Sequence, residues 1–267
     1  MPRQVSATVQ FSLDGQTLWK GVRQVSACTE EPILSIAHGQ SLTLVVFRET
    51  RLVISWHFPL SSALDSPIVF GIPPLIASHL CKSAPPVSPM ARMAVHGNDV
   101  SLCANDAEGP FELRWRFEIG QFPAPPELDR LLEPPPALMA AGHLQLADAI
   151  LGAAARLMAL EVERGLHRSK LAVVVGLPAG RLVIDGREVC DEPPGFYHFD
   201  PRLVTRALEL MRSDRIEIGL TPLNPGRAFL SLVDRQPDHT LHCALLSLGL
   251  DTRRLITPDR GLLSRLA

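Results

Sequence analysis

Of the nine histidines in the 267-residue chain, only His239 and His242 lie close together. They sit three apart in the extended-looking run "HTLHCALLSL", so they point to opposite faces and cannot share a metal ion. The five cysteines, Cys28, Cys81, Cys103, Cys190 and Cys243, are odd in number and form no C-x-x-C pair. They read as buried, reduced thiols. The stretch "GLPAG" (176–180) lacks both glycine patterns that cradle phosphates, and reads as a turn. No H-E-x-x-H, G-x-S-x-G or paired acidic motif is present. The expectation is a protein that is not an enzyme and needs no cofactor. What remains is charge: Arg202 and Arg206 are four apart, as are Arg164 and Arg168, so each pair lies on one face of any helix that carries it.

The elements that would position these side chains recur twice, at a spacing of about 125 to 130 residues. In the first half an apolar strand "SATVQFS" precedes an amphipathic helix "DGQTLWKGVRQVSAC", then strands "SLTLVVFRE" and "RLVISWHF". A short proline-led helix "IPPLIASHLCKS" follows, then three strand-like runs, 90–97, 99–106 and 111–118, divided by turn residues. The second half repeats this order. It has "MAAGHLQL", a helix "ADAILGAAARLMALEVERGL", strands "KLAVVVGLPAG" and "RLVIDGREV" with an Asp185-Gly186 hairpin signal, and a capped helix "FDPRLVTRALELMRSD". Three more strands close it, 215–222, 227–234 and 239–248. The fold class expected is α+β: two tandem domains, each with two helices packed on antiparallel sheet.

Between the halves, six prolines fall from Pro123 to Pro136, a composition that favours a stiff, extended connector. The expected domains are 1–120 and 138–250, joined by a linker at 121–137, with a tail at 251–267. With 46% hydrophobic residues the chain can bury a substantial core. A net charge of −2 argues against holding nucleic acid through overall charge, so any basic surface must be local. One tyrosine and three tryptophans leave little for base stacking. No run of 18 apolar residues and no apolar N-terminal leader is seen, and a cytoplasmic location is expected.

Several stretches resemble the DNA sliding clamps, the family of the bacterial replicase beta subunit and the proliferating cell nuclear antigen. "SPIVFGIPPLIASHLCK" resembles the strand and helix that open the second half of a clamp domain. "FELRWRFEIGQFPAPPELDRLL" resembles its last strand and the segment before the linker, and "FYHFDPRLVTRALELMRSDRIEIGLTPLNPGRAFL" resembles the matching piece of the last domain. Bacterial clamps carry three such domains per chain, whereas this chain has room for two. If it closes the family's six-domain ring, division gives a homotrimer.

The resemblance implies helices that line a hole around duplex DNA and contact phosphate without reading sequence. Ten basic residues lie on the four expected helices and their ends, against five acids: Lys20, Arg23, Lys82, Arg156, Arg164, Arg168, Lys170, Arg202, Arg206 and Arg212, against Asp14, Asp148, Glu161, Glu163 and Glu209. All ten but Lys170 are taken as DNA-binding candidates. The resemblance also implies a hydrophobic pocket for short peptides of polymerases and other DNA enzymes, which by position falls on Arg51, Leu52, Pro123, Leu128, Ala244 and Leu246. Two functions are therefore open. One is a DNA-encircling or DNA-tethering clamp that recruits such enzymes. The other is a clamp-fold scaffold or subunit of another assembly that forms no ring.

Overall fold

In the structure, a computed structural model, residues 8–48, 51–87, 89–117, 139–142, 152–159, 171–176, 183–188, 196–213, 215–224 and 227–248 are described. Two compact units divide the chain. The first comprises Met1–Arg48, Val53–Glu133 and Arg235–Leu241, the second Glu49–Leu52, Pro134–Asp234 and His242–Ala267. Each unit thus takes in a short piece of the other sequence half. The expected linker 121–137 and tail 251–267 lie outside the described residues.

In the first unit β1 (Val9–Asp14) feeds α1 (Gly15–Ser26), followed by β2 (Ile33–Arg48), β3 (Leu52–Ile72), α2 (Pro74–Lys82), β4 (Met90–His96), β5 (Asp99–Asn105) and β6 (Pro110–Arg116). The sheet order is β6-β5-β4-β1-β3, with β2 also paired to β3. Asp14 starts α1: its carboxylate accepts the Thr17 amide at 2.6 Å, satisfying one of the helix's orphan donors. Leu18, Trp19, Val22 and Val25 recur at helical spacing and are all buried, forming the face laid on the sheet. That approach is close at Gly21, where a Cβ would stand 2.2 Å from the Phe58 ring. β4 and β5 alternate buried and exposed residues, so one face of this sheet meets the core and the other meets solvent.

In the second unit β7 (Met139–Gly142) precedes a helix at 152–159 (α3), then β8 (Leu171–Gly176), β9 (Val183–Glu188), β10 (Phe196–Phe199), α4 (Pro201–Leu210), β11 (Arg215–Asn224), β12 (Arg227–Arg235) and β13 (Thr240–Leu246). β13, β12, β11 and β7 follow one another in one sheet, and β10-β8-β9 form another. The repeat is visible in the pairing as well as the order. β1 lies antiparallel against β4, and β7 lies antiparallel against β11. From α2 and α4 onward, matching elements start 125 to 130 residues apart.

Three expectations are corrected. The first-half strand expected at "RLVISWHF" continues through Ile72 as a single strand of 21 residues. Its residues 61–69 are mostly exposed, so they lack the period-two apolar signal by which a strand is read. Asp185-Gly186 is not a hairpin turn. Both residues lie inside β9, facing Val174 and Val173 of β8. Glycine is required there by packing, since a Cβ on Gly186 would fall 2.1 Å from the Ala153 carbonyl oxygen of α3. Finally, the described cysteines are thiols, but only Cys28 and Cys243 are buried; Cys81 is half-buried and Cys103 is exposed on the outer face of β5. Among the described residues no helix is long and apolar enough to cross a membrane.

Candidate functional site

On α1 the inner face is consumed by the core, which leaves Gln16, Lys20, Arg23 and Ala27 outward. α2 packs beside it, and the two helices meet at Ser83. The Ser83 amide donates to the His79 carbonyl and its hydroxyl donates to the Leu80 carbonyl at 3.1 Å. The same hydroxyl accepts the Trp19 indole N–H at 3.0 Å, and the Ser83 carbonyl accepts Arg23 Nη2 at 2.8 Å. Arg23 is thereby held at the joint of the two helices, with Lys82 exposed one residue before Ser83. Lys20 has a different fate. Its Nζ lies 2.7 Å from Asp238 Oδ2, on the turn between β12 and β13 that belongs to the first unit.

Asp238 also accepts His239 Nδ1 at 2.7 Å, and the His239 ring lies 5.7 Å from that of Phe58. Partial burial works against the Asp238 charge, yet the hydrogen bonds from Lys20 and His239 together hold its carboxyl below the usual value. His57, next along β3, is half-buried. Its ring nitrogens lie 2.9 Å from Thr43 Oγ1 and 3.1 Å from Ser55 Oγ. Desolvation first, and the nearby Arg235 cation second, lower its pKa from 6.5 to about 4.

In the second unit Asp200 caps α4, accepting the Arg202 amide at 2.9 Å. The same carboxylate receives the Arg202 guanidinium, with Nη2 at 3.1 Å. One turn on, Arg206 Nη1 lies 3.4 Å from Glu209 Oε2. The Arg202 and Arg206 pair does share the outward side of α4, as its spacing predicts. On α3, Arg156 Nη1 lies 3.2 Å from Asp185 Oδ1, and Asp185 takes Arg187 Nε at 2.7 Å on its other oxygen. Arg212 is exposed just past α4. The buried Asp234 carboxylate accepts the Arg212 and Ser213 amides and so closes that helix end.

Seven of the nine DNA-binding candidates are described, and each lies on a helix or at a helix end as expected. Arg164 and Arg168, with Lys170, lie outside the described residues. Four of the seven, Lys20, Arg156, Arg202 and Arg206, face an internal carboxylate. Among the described residues no such carboxylate partner is found for Arg23, Lys82 or Arg212. Counting charges along the helices missed Asp185 and Asp238, because both reach the helix cations from other elements. A polar turn, "QPD", was the only trace of Asp238 in the sequence.

The peptide-pocket candidates gather at the end of β13. Three successive amides there are fastened to three different segments: Leu246 N to Arg51 O at 2.7 Å, Ser247 N to Ala228 O at 2.9 Å, and Leu248 N to His198 O at 2.8 Å. Arg51, Leu52, Ala244 and Leu246 belong to the second unit together. Their exposure differs. Arg51 is exposed and Leu246 half-buried, whereas Leu52 and Ala244 are 0% and 3% exposed and lie beneath the surface. Pro123 and Leu128 lie outside the described residues. No cluster of three or more metal-ligating side chains is found among the described residues.

No family model matches the chain, and no curated protein matches it. Solved structures do. One is a protein from Eubacterium rectale assigned as a DNA polymerase III beta subunit, at 13% identity and a TM-score of 0.55. Another is the DnaN sliding clamp of Pseudomonas aeruginosa, bound to griselimycin, at 10% identity and a TM-score of 0.54. Each comparison covers 94% of this chain and 68% of the other. At such identities the likeness speaks for the fold: this chain has the sliding-clamp fold, in a length about two thirds that of the clamps it matches.

Proposed function

We propose that the chain is a two-domain, DNA-tethering clamp that associates head to tail into a ring, holds duplex DNA without reading sequence, and recruits DNA-processing enzymes. The observation that carries this reading is the β-α-β-β-α-β-β-β order of the first half, repeated in the second with one further strand before its second helix, with the same antiparallel pairing of first and later strands in each half, in a chain whose described helices carry outward cations. Of the sheets of its unit, β6 ends one side, and among the described residues its outer edge has no strand partner. Such an edge accepts a strand from a second copy, and a heterologous contact of that kind generates rings when the rotation closes. With two domains per chain, a six-domain ring is a trimer.

In this reading the cations of α1, α2, α3 and α4 meet phosphate oxygens, with Arg23, Lys82 and Arg212 giving the firmest contacts because among the described residues no carboxylate matches their charge. Arg51 and Leu246, with Leu52 and Ala244 buried, border the surface that receives partner peptides. The test is mass in solution together with release from DNA. A trimer that stays on closed circular DNA but runs off the linear form supports the proposal. A monomer that leaves both at one rate sinks it.

A second reading is favoured by one observation, the internal pairing of four helix cations. It makes the chain a clamp-fold scaffold within another assembly. That reading requires a partner without which the chain stays monomeric, and a ring formed by the purified chain alone counts against it.

A further inference from the structure

We infer that the helix cations of this chain are masked by its own carboxylates, with Asp238 and Asp185 as the residues that set how tightly a polyanion is gripped. The inference rests on the proposed contact between these helices and phosphate, and it deepens that reading by naming what restrains it.

Four cations sit on outward helix positions where a phosphate would meet them, and each already faces a carboxylate oxygen at 2.7 to 3.4 Å. Two of these carboxylates are local to α4. Asp200 is also the helix cap, and Glu209 lies three residues from Arg206, so both have an ordinary helical explanation. Asp238 and Asp185 have none. They are brought to α1 and α3 from the β12–β13 turn and from β9, over 218 and 29 residues of chain.

Stability explains little of them either, because pairs with an exposed cation shift a folding equilibrium by about five-fold or less. The cations are 52% and 63% exposed and their carboxylates 34% and 22%. Charge matching does explain them. A carboxylate at 2.7 Å occupies the place of a phosphate oxygen, so an incoming polyanion must displace it and gains only the difference. Asp185 divides its two oxygens between Arg156 and Arg187, so a single carboxylate quiets two cations. Asp238 is held ionised by Lys20 and His239 together and is available as this counter-charge at neutral pH.

Asp238→Asn and Asp185→Asn keep the shape and remove the charge. Asp65→Asn, on an exposed part of β3, makes the same change in net charge on a strand rather than beside a helix cation's ion pair. The readouts are the salt concentration that elutes each protein from immobilised heparin, and duplex affinity across a salt series. Each helix-side variant is expected to bind about two- to five-fold more tightly, and to steepen log affinity against log salt by up to about 0.9. Asp65→Asn is expected to leave that slope unchanged. Adding Lys20→Gln to Asp238→Asn should erase the gain. Equal shifts for Asp65→Asn, or none for either helix-side variant, overturn the inference. Tryptophan fluorescence on unfolding controls for Asp238→Asn, and Asp185→Asn tests the idea in the other unit. Heparin separates the two levels of the argument. If the variants grip heparin harder while circular DNA is held no longer than linear, the masking stands and the ring reading falls.

Discussion

His57 lies between Trp56 and Phe58 in the sequence of β3 and points to the opposite face of the strand, where a neutral imidazole is satisfied by the hydroxyls of Thr43 and Ser55. Burial and then Arg235 bring its pKa to about 4, against 6.5 for an exposed ring. The unfolded chain therefore takes up this proton more readily than the folded one. The stabilisation is complete above about pH 6.5 and is lost as pH falls from there towards 4. Between pH 7 and pH 5 the loss amounts to about 2 kcal/mol, an upper figure because the ring keeps some contact with solvent. His57→Gln retains hydrogen-bonding groups for the two hydroxyls and abolishes the titration. Trp19, Trp56 and Trp115 all belong to the first unit, so their fluorescence during urea unfolding reports the unit that holds His57. With a denaturant slope of about 2 kcal/mol/M, the wild-type midpoint should drop by roughly 1 M more than that of His57→Gln between pH 7 and pH 5. Other histidines and carboxylates titrate in both proteins and cancel in the difference. Equal losses in the two proteins would refute the reasoning, and with it the idea that the ring is kept neutral by its surroundings.

Two further predictions concern packing and charge. Gly186→Ala places a methyl group against the α3 backbone and should destabilise the second unit by about 2 kcal/mol or more, seen as faster amide exchange in β8 and β9 while the tryptophan-reported midpoint of the first unit stays within error. For DNA contact, Lys82→Gln and Arg212→Gln should each lower the slope of log affinity against log salt by about 0.9, measured by anisotropy of a labelled duplex; an unchanged slope removes that residue from the interface.

The repeat was legible because both halves obey the same local rules. Asp14 and Asp200 each stand one residue before a helix and cap it, and the three strands after α2 and after α4 alternate or run apolar between short polar turns. These are signals within ten residues of one another. The misread features all depend on distance. Asp185-Gly186 looks like a turn by composition, and only the approach of α3 shows that the glycine makes room for the Ala153 carbonyl. The exposed middle of β3 carries no pattern of its own and is extended because the strand around it is paired. The depth of Leu52 and Ala244 was not foreseen, since burial is decided by what covers a residue rather than by its type.

The charges show the same division most sharply, and they bear on function. An excess of cations along the helices is readable in sequence, but the field those helices project is fixed by carboxylates that arrive from β9 and from the β12–β13 turn. On the proposed reading this cancellation is compatible with holding DNA. Affinity that comes from phosphate contacts grows with each unmatched cation, and a strong grip would resist movement along the duplex. A protein retained by enclosure needs little grip. Cations that can exchange a carboxylate for a phosphate at nearly equal free energy leave successive positions along the DNA nearly equivalent, and the small set of unmatched cations is then enough to keep the duplex oriented. The pairing therefore restrains the clamp reading without displacing it, and it turns Asp238 from an unremarked turn residue into the position whose substitution tests that restraint.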